Sequence, residues 1–233
     1  MPAALVRGAV DAQTAVDWLT AIDAHPAWVA RSSDGFDPYS SSLQLSAIAG
    51  LDIAAITGAI TPSDLRQMLR TDLGDPLAIG VDRCWVRRQY PPSRAPLHHA
   101  PHAWHQDGAL CFDFLAAPGS AGPHALLRMA TCWIALTPCG VDAPGLELIE
   151  PGFDRVLMLD ELRDDAVRAR HAASAVWRPC LQAGDALVFD GGVLHRTHAA
   201  PTMHADRTSI EIRIFDARRV DERLRSDRFV PFP

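Results

Sequence analysis

The 233-residue chain predicts a mainly β fold, a sandwich or barrel with a helical flank at its N-terminal side. Two observations carry that expectation. From Leu77 onward, short runs rich in Val, Ile, Trp and Phe alternate with Gly and Pro, the pattern of many short strands joined by turns. Before Leu77, apolar residues recur at helical spacing instead. With 48% hydrophobic and 21% charged residues the chain can bury a substantial core, and no linker, repeat or low-complexity tract divides it. The expectation is one domain over 1–233: a flank to about 75, a core over about 76–217, and a tail over 218–233.

Taken in order, residues 11 to 24 place Ala15, Trp18, Leu19 and Ile22 on one helical stripe, stopped by His25-Pro26. Ser32 to Ser42, rich in Ser, Gly, Asp and Pro, reads as a loop. A second helix opens at Thr61-Pro62, with threonine as cap and proline in the first turn. The strand runs are Leu77–Tyr90, Trp104–Leu115, Leu126–Leu136, Leu146–Ile149, Ala186–Phe189 and Arg207–Phe215. Asp160 to His171 is a helical insertion. Pro91 to Pro101 and Pro118 to Pro123 are loops of the kind that rim sites on β scaffolds.

Composition excludes several functions. A net charge of −6 argues against a broad grip on nucleic acid. All 22 basic residues are arginine, so neither Schiff-base chemistry nor a P-loop lysine is available. Any cationic clamp must be a guanidinium, which suits planar two-pronged recognition of a carboxylate. Five cysteines without a CxxC pair read as reduced, packed thiols. The first ten residues do not read as a signal peptide, and no apolar run approaches the ~20 residues of a membrane span. A cytoplasmic protein without membrane contact is expected.

The chemistry concentrates in three places. His105-Gln106-Asp107 is an H-x-D unit, and on a strand residues two apart share a face, so both side chains can grip one metal ion. Alone the unit is weak: a lone His105 more often satisfies a core hydrogen bond, and a second unit stands at His204-Ala205-Asp206. Order separates the two. No histidine follows His204, whereas His105 is followed by Gly184-Asp185, a buried strand and then His195. His105, Asp107 and His195 suit a facial triad for Fe(II) with open coordination positions. Twelve residues past His195, Arg207 opens a strand that places Arg207, Ser209, Glu211 and Arg213 on one face. A hairpin near Pro201 would set Arg207 across from His195, at a distance suited to pairing with the far carboxylate of a bound 2-oxo diacid. Thr197 can add a hydroxyl.

These motifs, with Trp104 before the first histidine, Cys132-Trp133-Ile134-Ala135-Leu136-Thr137-Pro138 and Pro144-Gly145-Leu146-Glu147-Leu148 between them, follow one another in a familiar order. Over about residues 80 to 215 the chain resembles the phytanoyl-CoA dioxygenase (PhyH-like) family of Fe(II)/2-oxoglutarate-dependent oxygenases. The resemblance implies a double-stranded β-helix, the cupin-like jelly roll, with His105, Asp107 and His195 as iron ligands. It implies Arg207 as the 2-oxoglutarate anchor, with Thr197 in a small hydroxyl position. It further implies a dioxygenase that consumes O2 and 2-oxoglutarate, hydroxylates, desaturates or cyclises a small-molecule substrate, and releases succinate and CO2. Two segments depart from the family pattern, Pro151-Gly152-Phe153-Asp154 and Ala199-Ala200-Pro201-Thr202, so substrate contacts there do not carry over.

Other residues are weighed beside these. Arg87 and Gln89 share a strand face and can reach co-substrate or substrate; exposed strand polars look the same. Trp104 and Trp133 can wall a substrate pocket, though tryptophan in a β core is more often plain core. Arg213 is the rival to Arg207 and is assigned either to a structural pair or to substrate. Two other functions fit the composition: a zinc hydrolase built on the His98–His105 stretch, and a non-catalytic small-molecule-binding jelly roll.

Overall fold

The computed structural model describes residues 1–26, 40–94, 101–114 and 125–233. Their strands form two antiparallel sheets. In chain order the strands are β1 (Ala4–Val6), β2 (Ser40–Gln44), β3 (Leu77–Gly80), β4 (Trp85–Gln89), β5 (Met129–Ala135), β6 (Gly145–Ile149), β7 (Val176–Trp177), β8 (Ala186–Asp190), β9 (Leu194–His198), β10 (Arg207–Asp216) and β11 (Phe229–Pro231). The larger sheet runs β1-β8-β5-β10. Beyond β10, β4 pairs with residues 207–211 and β3 with residues 214–216, and β2 and β11 complete the outer edges. The smaller sheet is β7-β6-β9. This is the mainly β jelly roll that the motif order implies.

Four helices accompany the sheets among the described residues: α1 (Ala12–Asp23), α2 (Ile53–Ala59), α3 (Ser63–Leu73) and α4 (Asp164–Arg170). The Asp11 side chain caps α1 by accepting the Thr14 N–H, and Ala15, Trp18 and Ile22 face inward. In α3, Leu65, Leu69 and Leu73 recur every fourth residue, and Gly74 at φ 120° ends the helix. These side chains pack on the outer face of the larger sheet, against Ala130, Cys132, Ile134, Val188, Ile210, Ile212 and Ile214. The opposite parity of the same strands points between the sheets. There Trp133, Ala135, Leu187 and Phe189 meet Leu146, Leu148 and Val193.

Several sequence expectations need correction. Thr61 does not cap α3: the cap position is Pro62, which has no side-chain bond to give, and the Thr61 N–H bonds Ala9 O. The start of α4 comes later than expected, at Asp164. Ser40–Ser42 belongs to β2, where pairing with β4 overrides the loop-like serine composition. The run Leu77–Tyr90 is two strands broken by a 3-10 turn at Val81–Arg83. Within the run Trp104–Leu115, the described residues 104–114 form no strand, because Gln106 ties them down as an irregular segment. Its Nε2 donates to the carbonyls of Arg155 at 3.1 Å and Gly192 at 3.2 Å, and its Oε1 accepts the Leu157 N–H at 2.7 Å. Most of the Ser32–Ser42 segment, the loop Pro118–Pro123 and most of Pro91–Pro101, His98 and His99 included, lie outside the described residues.

Candidate metal centre

His105 and His195 face each other through their backbones. The His105 N–H donates to His195 O at 3.0 Å and the His195 N–H to His105 O at 3.1 Å, an isolated antiparallel pair. The pairing brings the two imidazole rings to 4.1 Å between centroids. Asp107 then turns inward by opening a 3-10 turn over Asp107–Ala109. The next residue, Gly108, donates its N–H to Gly191 O at 2.8 Å, which docks this turn on the segment leading to His195. Strand parity, the expected reason for His105 and Asp107 to converge, is therefore replaced by a bridge and a turn.

The three ligand atoms come together: Asp107 Oδ1 lies 4.0 Å from His105 Nε2, and Oδ2 lies 3.8 Å from His195 Nε2. One donor atom from each of the three residues falls within 4.8 Å of the others. His105 Nδ1 lies 2.7 Å from Ala103 O and His195 Nδ1 lies 3.0 Å from Val193 O. A carbonyl only accepts, so each Nδ1 carries the proton and each Nε2 presents its lone pair to the shared space. Burial lowers the pKa of both histidines, His105 to about 4 with the neighbouring His195 contributing. Burial alone would raise the Asp107 carboxyl. The charge of Arg213 and the two imidazoles outweigh it and hold the group well below the usual carboxylate range. Two neutral imidazoles and one ionised carboxylate, with each tautomer set by a backbone carbonyl, fit an Fe(II) ion.

The site opens into a cavity of about 290 Å³ between the sheets, lined by His105, Asp107, His195, Thr197, Trp133, Leu146, Phe189, Arg87, Gln89, Arg207, Glu211 and Arg213 among others. Thr197, two residues after His195 on β9, shares its inward face. Arg207 is 2% exposed yet makes no salt bridge among the described residues. Its guanidinium lies 5.0 Å over the Trp133 ring, its Nε has no hydrogen-bond partner, and burial pushes its pKa down to about 10. A buried cation of this kind is costly until an anion joins it, so Arg207 fits the far carboxylate of 2-oxoglutarate.

Arg213 differs from Arg207: its Nη2 donates to Asp107 Oδ1 and to Glu211 Oε2, both at 3.0 Å. Arg213 is thus paired with the carboxylate of the converged triad. Arg87 completes the set, 2.8 Å from Glu211 Oε1.

The assumed hairpin register is wrong. β9 pairs with β6 in the smaller sheet and β10 pairs with β5, β4 and β3 in the larger one, so Arg207 and His195 approach from opposite walls. Trp104 is corrected as well. It lines a separate cavity with Glu147 and Arg196, and its Nε1 donates to Asp164 at 3.2 Å. His102 is exposed, stacks on His105 with centroids 4.1 Å apart and lines the main cavity. His204 and Asp206 form no metal cluster among the described residues; Asp206 accepts from Arg94 at 2.6 Å.

Three groups were given no role by the sequence, two of them although their strand face was read. Thr131 Oγ1 donates to Asp107 Oδ2 at 2.5 Å, Ser209 Oγ is buried without a partner beside Arg207, and Glu211 joins two arginines. The alternation of β10 was signal enough for Ser209 and Glu211. Trp133 at an inward position implies Thr131 by parity.

The fold is a double-stranded β-helix in which two histidines and one carboxylate converge on one point. The phytanoyl-CoA dioxygenase (PhyH) family model matches residues 3–209, and the chain belongs to that family. It is thus an Fe(II)/2-oxoglutarate-dependent enzyme that also uses O2. Among solved structures the chain is similar to HygX from Streptomyces hygroscopicus with nickel, 2-oxoglutarate and hygromycin B bound, at 10% identity and TM-score 0.62, covering 92% of this chain and 83% of that one. It is similar to SnoN, a non-haem α-ketoglutarate-dependent epimerase from nogalamycin biosynthesis, at 17% identity and TM-score 0.58, covering 92% and 78%. EctD from S. alaskensis follows at 14% identity and TM-score 0.58, covering 97% and 78%. At such identities these likenesses show the fold. Comparison with curated proteins finds no match. No helix among the described residues is long and apolar enough to cross a membrane.

Proposed function

We propose that the chain oxidises a small-molecule metabolite, most simply by hydroxylation, with His105, Asp107 and His195 holding Fe(II) and Arg207 anchoring 2-oxoglutarate. The observation that carries this is the uncompensated buried charge of Arg207 in the same cavity as the converged triad. For hydroxylation the balance is substrate C–H, O2 and 2-oxoglutarate to substrate C–OH, succinate and CO2. Desaturation or ring closure are the alternative outcomes. That Asp107 supplies a carboxylate where halogenases of this kind have a small residue favours these reactions over halogenation. HygX is recorded with hygromycin B and SnoN with nogalamycin RO, which supports a metabolite as substrate.

The protein's own work is binding and orientation. Both histidines present neutral Nε2 atoms because their Nδ1 protons are committed to carbonyls. Arg207, backed by Trp133, takes the distal carboxylate of the diacid by a charge-assisted pair. Thr197 adds a hydroxyl to the cavity lining, and Gln89 lies across from Arg207 on β4. Trp133, Leu146 and Phe189 give the cavity apolar wall that keeps water from the reacting groups. When bound, Fe(II) supplies the activation of O2 and the oxidising power that no side chain has.

The test is succinate release by anaerobically reconstituted Fe(II) protein, exposed to O2 and 2-oxoglutarate over a metabolite panel. Substrate-dependent succinate with a product heavier by one oxygen supports hydroxylation. Turnover that needs zinc and ignores 2-oxoglutarate would return the hydrolase reading, and ligand binding without succinate the non-catalytic one.

A further inference from the structure

Asp107 is restrained through both of its oxygens. Thr131 Oγ1 donates to Oδ2 at 2.5 Å and Arg213 Nη2 donates to Oδ1 at 3.0 Å. The two donors come from one rung of the larger sheet, where Arg213 on β10 sits directly across from Thr131 on β5. They differ in charge. Thr131 offers a neutral hydroxyl, whereas Arg213 brings a full positive charge to Oδ1 and is only 4% exposed. Nor is the guanidinium free to swing away. Glu211 Oε2 holds the same Nη2 at 3.0 Å, and Arg87 holds the other Glu211 oxygen at 2.8 Å. Positive and negative groups thus alternate in a row from Arg87 through Glu211 and Arg213 to Asp107.

A carboxylate beside a divalent cation can coordinate through one oxygen or through both, and the second oxygen occupies a position that a co-substrate needs. The use of a facial triad lies in the open positions it leaves. A guanidinium fixed at Oδ1 makes that oxygen the wrong place for a second cation, since like charges repel strongly at contact distance in a buried site. The hydroxyl at Oδ2 imposes no such penalty. Resting on the metal site proposed above, we infer that Arg213 withholds Oδ1 from the metal and confines Asp107 to coordination through Oδ2. Arg213 is on this account a positioning residue. It acts through Asp107, and the position it protects is the one open to O2.

The experiment compares wild type, Arg213→Met, which keeps an unbranched apolar stem but not the charge, and Arg213→Lys, which keeps charge. All are studied anaerobically with Fe(II) and 2-oxoglutarate, using nitric oxide as the O2 surrogate read by electron paramagnetic resonance. The oxygen neighbours of the Co(II)-loaded proteins are counted by X-ray absorption. Arg213→Met should retain Fe(II) and 2-oxoglutarate binding close to wild type, lose about tenfold in nitric oxide affinity and gain one oxygen neighbour at Co(II). Arg213→Lys should restore nitric oxide binding and remove the extra neighbour. If Arg213→Met does not fold, Arg213→Gln carries the same expectation with a smaller loss. Nitric oxide affinity and neighbour count unchanged in the neutral variants would overturn the inference while leaving the metal site standing. So would a loss of Fe(II) affinity with an unchanged neighbour count, which is the result expected of a merely supporting arginine. Wild type that binds no Fe(II) with 2-oxoglutarate would instead overturn the functional reading and this inference with it.

Discussion

At the scale of single residues the two inward arginines of β10 separate by partner. Arg213 already has two carboxylates within 3.0 Å, whereas Arg207 has none within salt-bridge distance among the described residues. Arg207→Ala should therefore weaken 2-oxoglutarate binding by about 1.5–3 kcal/mol, roughly tenfold to a hundredfold, read as KM or by anaerobic titration. Arg213→Ala should leave that constant within a few-fold; the reverse order would move the anchor to Arg213. Asp107→Ala should abolish turnover and still bind 2-oxoglutarate through Arg207, so activity near wild type in that variant would contradict the carboxylate assignment. The residues themselves were legible: H-x-D, a distal histidine and a following arginine stand out in order. Their geometric reasons were not. The bridge between His105 and His195 and the turn at Asp107 depend on contacts across 90 residues of chain that no local pattern records.

At the scale of elements, short apolar runs between turn residues made β5, β6 and β8 readable, and alternation made β10 readable because one of its faces meets apolar core. It failed for β9, where His195 and Thr197 face the cavity while Arg196 and His198 approach Glu147 on the other side. Polar residues on both faces leave no pattern to read. The same holds for β2, whose serines become a strand only by pairing with β4. The Asp107 turn depends on the close approach of two glycines. A Cβ on Gly108 would lie 2.8 Å from Gly191 O, and one on Gly191 would lie 2.8 Å from the Gly108 Cα. Gly108→Ala should push the Asp107 turn away from the His195 segment, costing about 1–3 kcal/mol of stability. The same variant should bind Fe(II) or Ni(II) at least about tenfold more weakly, a ratio that calorimetric titration would give directly. Metal affinity equal to wild type would show that the glycine contact does not place the carboxylate.

Across the whole molecule the metal-free protein concentrates titratable groups in one buried volume, and that sets its response to pH. The unfolded chain protonates histidine near 6.5, whereas burial holds folded His105 down to about 4 and lowers His195 as well. Below pH 6.5 the unfolded state thus takes up protons that the folded state refuses, and stability falls as pH drops toward 4. Burial would raise Glu211, but Arg87 and Arg213 hold it at about 2 instead of 4.5, so a further loss follows between those values. Melting temperature measured with chelator present should decline steadily below pH 6.5, and a flat profile down to pH 4 would contradict neutral buried imidazoles. At pH 7, Ni(II) at a hundredfold excess over its Kd should add about 2.7 kcal/mol, and His195→Ala should erase that gain.

The burial of β10 on both faces has a consequence for how the protein can change. Its even positions, Ile210, Ile212 and Ile214, pack under the helices, and the odd positions Arg207, Glu211 and Arg213 face the cavity. Fold and chemistry are thus written on one ten-residue segment in alternating letters. Substitutions among the isoleucines can tune thermal tolerance while the reaction stays the same. A single inserted or deleted residue would exchange the two sets and destroy both at once. Lineages descending from this chain have room to drift at the even positions and almost none in the length of the strand.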